Sequence, residues 1–127
     1  MDVLIRYGFS IEEIKNMMDT NPAINNIEDD DIYKLIDILG SIGCMSNIIR
    51  NIFICNPFYL SRNINDIEEL IAKLKSFGLD NLNLLFDTNP YLLNLNSNDL
   101  EKMYKDKLVE NWNIDEFRDY LYYNIVF

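Results

Sequence analysis

The sequence predicts an all-α protein, a helical-repeat solenoid in which two helices and a short 3-10 turn make each unit. Three observations predict it. A glycine recurs at 8, 43 and 78, an Asn-Pro pair recurs at 21–22, 56–57 and 89–90, and apolar residues follow each proline at helical spacing. The glycines lie 35 and 35 residues apart and the prolines 35 and 33, so the third unit is two residues shorter between its glycine and its proline.

The elements follow in order from these anchors. Val3, Leu4 and Ile5 read as the end of a second-type (B) helix, and Gly8 stops it, because a residue just past a helix C-terminus adopts the left-handed region most easily as glycine. "SIEE" at 10–13 has the spacing of a capping box, and Ile14, Met17 and Met18 place a first-type (A) helix after it. Proline at 22 disfavours helical geometry for the residue before it and donates no backbone hydrogen bond, so this helix ends near Asn21. The same proline suits a first helical position, with the Asn21 side chain as N-cap, so the pair forms a corner that opens a 3-10 turn. Asp31 then sits at the positive end of a B helix marked by Ile32, Leu35, Ile36 and Leu39.

The second unit repeats this with Gly43, Ile49, Ile52, Phe53, the Asn56-Pro57 corner, Asp66 and the run Ile67, Leu70, Ile71, Leu74. The third uses Gly78, Leu82, Leu85, Phe86, the Asn89-Pro90 corner, Asp99, Leu100, Met103 and Tyr104. A fourth begins with Asn111 in the place of glycine, Trp112 in the column of Phe9, Cys44 and Leu79, a second box-like "NIDE" at 113–116, and Phe117, Tyr120 and Leu121 in core columns. One domain of about three and a half units results: 8–42, 43–77, 78–110 and a half unit, 111–127.

Bulk properties narrow the function classes. A chain of 127 residues can bury a real core without metals or disulfides, and 49% hydrophobic with 25% charged residues is a globular balance. No apolar run reaches the roughly 18 residues of a membrane span and no signal peptide is visible, so a cytoplasmic protein is expected. Cys44 and Cys55 form no CxxC unit and read as core filler in a reducing compartment. There is no histidine, which removes the commonest general base, the usual zinc ligand and the Ser-His and Cys-His pairs. "EDDD" at 28–31 lacks the spacing and glycine of a calcium loop and reads as a capped, solvated corner. No enzyme activity, cofactor or metal is expected.

A proline followed by apolar residues at +3, +10 and +17, in helical units of this length, resembles the repeat of the mitochondrial transcription termination factor (mTERF) family. Leu60, Ile67 and Leu74 fit after Pro57. Pro22 is followed at those offsets by Asn25, Ile32 and Leu39, and Pro90 by Leu93, Leu100 and Lys107, so Asn25 and Lys107 depart. The resemblance implies a curved stack of two helices and a 3-10 turn per unit, and it implies nucleic-acid binding along a basic groove. The net charge of -10, with a pI near 4.3, and the lack of a transit peptide fit a bacterial or mobile-element relative.

Two sets of residues are candidates for contact with a partner. Lys15, Arg50 and Arg118, with Asn83 in the same column, recur once per A helix, and Arg62 adds a cation after the second corner. A cationic row at constant pitch could follow phosphates or an acidic partner, while its plainer meaning is a solvated flank snorkelling over the core edge. Tyr122, Tyr123, Val126 and Phe127 are extra apolar residues after the last core columns and form a candidate association surface. An acidic chain repels phosphate, so a protein partner or self-association is favoured, with nucleic acid as the alternative and no membrane or small-molecule substrate.

Overall fold

The structure, a computed structural model, describes residues 2–123, and all regular structure among them is helical. Eight α-helices run in chain order: α1 (Asp2–Arg6), α2 (Ile11–Thr20), α3 (Asp29–Ser41), α4 (Ser46–Cys55), α5 (Ile64–Ser76), α6 (Leu82–Thr88), α7 (Ser97–Val109) and α8 (Ile114–Tyr123). Three 3-10 helices, η1 (Pro22–Asn26), η2 (Pro57–Ser61) and η3 (Pro90–Asn94), open on the three prolines. No membrane-length apolar helix occurs among the described residues.

Contacts follow the order of the sequence columns. The even-numbered helices pack in succession from α2 to α8, the odd-numbered ones from α1 to α7, and η1, η2 and η3 touch in turn. One hydrophobic cluster runs between these rows from Val3 to Leu121 and includes Ile14, Met17, Ile52, Phe53, Leu85 and Phe86. The apolar columns therefore point inward along the whole described chain.

Local chemistry explains where the helices start. The Ser10 hydroxyl accepts from the Glu13 amide at 3.0 Å, and Glu13 accepts from the Ser10 amide at 2.9 Å. Asn113 and Glu116 make the same reciprocal pair before α8, at 2.8 and 3.2 Å. Asn63 caps α5 through the amides of Asn65 and Asp66, and Asn96 caps α7 through that of Asp99. The seven-residue α6 is the short member of its row, and it starts from Asn81 in the left-handed region at φ 51. The two-residue deletion is absorbed there.

Helix α3 ends on Gly43, at φ 93. Its conformation lets the Cys44 amide reach back to the Leu39 carbonyl at 3.1 Å and the Gly43 amide to the Gly40 carbonyl at 3.1 Å, satisfying carbonyls that the helix leaves open. An added Cβ would meet only the Asn83 side chain, at 3.6 Å, so space is available and backbone geometry is the constraint. Gly43→Ala is expected to cost about 1–2 kcal/mol in urea unfolding. Asn111→Gly, at the equivalent position where φ is 64, should be neutral or mildly stabilising. Equal losses from both changes would show that backbone conformation is not the cause.

Two expectations are corrected by side-chain placement. The corner asparagines do not cap the 3-10 turns: Asn21, Asn56 and Asn89 make no side-chain cap bond, and each is buried. With φ between -131 and -135 the side chain turns away from its own turn, and the Asn backbone carbonyl instead accepts from Ile24, Tyr59 or Leu92. Cys55 is also not core filler. It is exposed, like Thr20 and Thr88 in its column, because that column faces outward at the end of each A helix; Cys44 is buried as expected.

Candidate interaction surface

The corner asparagines bind to residues further along the chain. Asn21 Nδ2 donates to the Pro57 carbonyl at 3.1 Å and to Ser61 Oγ at 3.0 Å. Asn56 Nδ2 repeats this one unit later, donating to the Pro90 carbonyl at 3.1 Å and to Asn94 Oδ1 at 2.9 Å. Asn89 Nδ2 donates to the Leu121 carbonyl in α8 at 2.8 Å. A buried amide is costly unless paired, so each of these bonds holds its corner against an element further along the chain: η2, η3 or α8. Further ties join neighbouring elements. The buried Tyr59 hydroxyl donates to the Leu35 carbonyl at 2.8 Å, and burial, followed by the nearby Cys44, raises the pKa of that phenol.

The proposed cationic row occupies α2, α4 and α8, and Arg50, Asn83 and Arg118 of its column lean onto the preceding part of the chain. Arg50 Nη1 comes within 3.5 Å of where a Gly8 Cβ would sit, and Asn83 comes within 3.6 Å of the equivalent point on Gly43. Arg118 lines a groove of about 490 Å³ between α6 and α8, beside Asp80, Asn81 and Leu84. Its guanidinium is held by Asp115 at 3.3 Å and Asp119 at 3.4 Å. Lys15 is exposed on α2 and makes no ion pair among the described residues.

Arg62 lies apart from that row. It follows η2, and its Nη2 donates to the Leu95 carbonyl at 2.6 Å, while its buried Nε has no hydrogen-bond partner. Around it, Glu28, Asp31, Lys34 and Asn63 line a separate groove of about 550 Å³ between α3 and α5. Arg62 thus ties one 3-10 turn to the next and shares its groove with carboxylates as well as Lys34. The four cations do not form one electropositive track.

Of the candidate association residues, Tyr122 is half-buried and Tyr123 is 80% exposed, and both line the groove with Arg118. Val126 and Phe127 lie outside the described residues. Just before them, aromatic packing explains why Lys107 stands where Leu39 and Leu74 are buried. Its Nζ lies 4.6 Å from the Trp112 ring centre and 4.7 Å from that of Tyr120, and 3.5 Å from Glu110. The cation lies over both rings.

Neither the asparagine ties nor the Tyr59 tie was identified from sequence. A repeated asparagine beside a proline carried the signal, but capping explained it equally well without the neighbouring unit. Cys44 offers no nucleophile at neutral pH, since burial first and Asp87 second push its thiol up to about 11. No group of three or more cysteine or carboxylate side chains is placed to hold a metal among the described residues. No protein-family model matches the chain, and no curated protein or solved structure matches it.

Proposed function

We propose that this chain is a non-enzymatic helical-repeat interaction module, an mTERF-like solenoid whose surface binds a protein, including another copy of itself. The observation that carries the repeat reading is the forward asparagine tie. Equivalent amides bond to equivalent acceptors in Asn21–Pro57 and Asn56–Pro90, which supports reading the units as repeats of one another. Such an array presents a surface assembled from neighbouring units, which suits it to binding extended or curved partners.

The choice of a protein over nucleic acid rests on charge placement. Phosphate tracking needs cations that add along one path, whereas Arg118 is neutralised by two aspartates, and Arg62 lies in another groove. Exposed Met45, Ile54, Phe58 and Leu84 add apolar contact area to an acidic surface. Titration against single- and double-stranded DNA and RNA at about 50 mM salt is expected to give dissociation constants weaker than about 10⁻⁴ M, unchanged in Arg50→Glu. Tight binding that falls steeply with salt and is lost in that variant would replace this reading with the nucleic-acid one.

A further inference from the structure

We propose that the groove between α3 and α5 binds an extended peptide segment of a protein partner, with Arg62 receiving a carboxylate side chain of that peptide. This rests on the protein-binding reading above. It gives that reading a place and a ligand chemistry.

Arg62 is out of keeping with its column. Five residues after each corner proline stand Ile27, Arg62 and Leu95, and Ile27 is half-buried while Leu95 is buried. In the middle unit a half-buried arginine takes this apolar place. The Leu95 carbonyl is its one hydrogen-bond partner among the described residues, its buried Nε has none, and no carboxylate among them pairs with it. A partly desolvated charge without a counter-ion is costly, and an apolar side chain would fill the same place at lower cost. The bond to Leu95 does not account for the arginine, since Ile27 has no side-chain donor with which to make the equivalent bond. A position that serves packing alone has no use for a guanidinium, whereas one that must hold an anion does.

The rest of the groove suits a peptide better than a simple anion. Its volume is about 550 Å³, within the roughly 300–1,000 Å³ usual for ligand sites, and buried Leu35 and Leu60 contribute to its lining. The α5 wall carries Arg62, Asn63 and Asn65, and the α3 wall carries Glu28, Asp31 and Lys34. Lys34 is exposed and, like Arg62, makes no ion pair among the described residues. Adjacent side chains of an extended strand point to opposite sides. A Glu-Lys pair laid along the groove therefore directs its carboxylate to Arg62 on one wall and its ammonium to Glu28 and Asp31 on the other. The guanidinium fork matches a carboxylate, and the amide of Asn65 offers a donor and an acceptor to the peptide backbone. A polyanion meets the two groove carboxylates instead. Both cations are particular to this groove: one unit on, Leu95 and Glu69 stand in the columns of Arg62 and Lys34.

The test is a titration of the isotope-labelled full chain with the blocked peptide acetyl-Gly-Glu-Lys-Gly-amide at constant ionic strength, followed through the Arg62 Nε–H and the backbone amides of Asn63 and Asn65. Saturable shifts of these signals are expected. Affinity should fall about tenfold or more when glutamine replaces the peptide's glutamate, and by less when it replaces the lysine. Arg62→Leu should abolish the shifts at Asn63 and Asn65 while leaving the urea midpoint at or above that of wild type, because it restores the apolar column. That midpoint separates a binding role from a structural one, and the glutamine comparison needs no variant protein.

No saturable shift, equal binding of the glutamine peptide, undiminished binding to Arg62→Leu or a lower urea midpoint in that variant would each overturn the proposal. So would inorganic phosphate that shifts the same signals at lower concentration than the peptide, which would assign the groove to phosphate. Failure here is distinguishable from failure of the protein-binding reading. The latter falls to tight, salt-dependent nucleic-acid binding, whatever this peptide does.

Discussion

Asn56→Asp is expected to destabilise the protein by about 3 kcal/mol or more at neutral pH, a large part of the roughly 5–15 kcal/mol of a typical domain. Asn56 is fully buried, and its amide nitrogen faces two acceptors, the Pro90 carbonyl and Asn94 Oδ1. A carboxylate there places a third acceptor, with a full charge, against the first two. Rotation of the Asn94 amide can supply one donor, but the Pro90 carbonyl has none to offer.

Asn56→Ala removes the donor without adding charge, and a loss of about 1–3 kcal/mol is expected from the unsatisfied carbonyl. The alanine loss is moderated because Asn56 Oδ1 already lacks a hydrogen-bond partner, so truncation also removes an unpaired acceptor. Urea unfolding of both variants at pH 7 tests the order. If aspartate were no worse than alanine, the forward tie would not be the reason for asparagine at this corner.

Phe53→Ala should cost about 3–5 kcal/mol, the range expected when a fully buried aromatic side chain is truncated. Phe53 is fully buried, and its ring lies 5.8 Å from Phe9 on one side and 5.8 Å from Tyr59 on the other. If the proposed repeat reading holds, stability comes from nearest-neighbour contacts and the effect is local as well as large.

Amide exchange in Phe53→Ala should therefore accelerate most in α2 and α4 and least in α7. Uniform acceleration along the chain would show that the described helices unfold as one cooperative unit, contrary to the nearest-neighbour picture. The Asn56 variants probe the polar tie between units, and this variant probes the apolar one. Together they apportion the stability of the fold.

The sequence by itself determined the helical class, the places where helices stop and the identity of the inward columns. Those features depend on neighbours a few residues away. Proline at 22, 57 and 90 opens each 3-10 helix, glycine at 43 or asparagine at 111 takes positive φ after an odd-numbered helix, and period alone places Ile52 or Leu85 inward. Only the tertiary structure decided what the corner asparagines bond to, why Lys107 tolerates a leucine column, and that Arg62 stands apart from Lys15, Arg50 and Arg118. Each of those outcomes depends on a partner brought close by packing: the Pro90 carbonyl for Asn56, the Trp112 and Tyr120 rings for Lys107, and the Leu95 carbonyl for Arg62. A polar side chain has several ways to satisfy its hydrogen bonds within its own turn, so its local sequence leaves the choice open until the neighbouring unit supplies the competing partner.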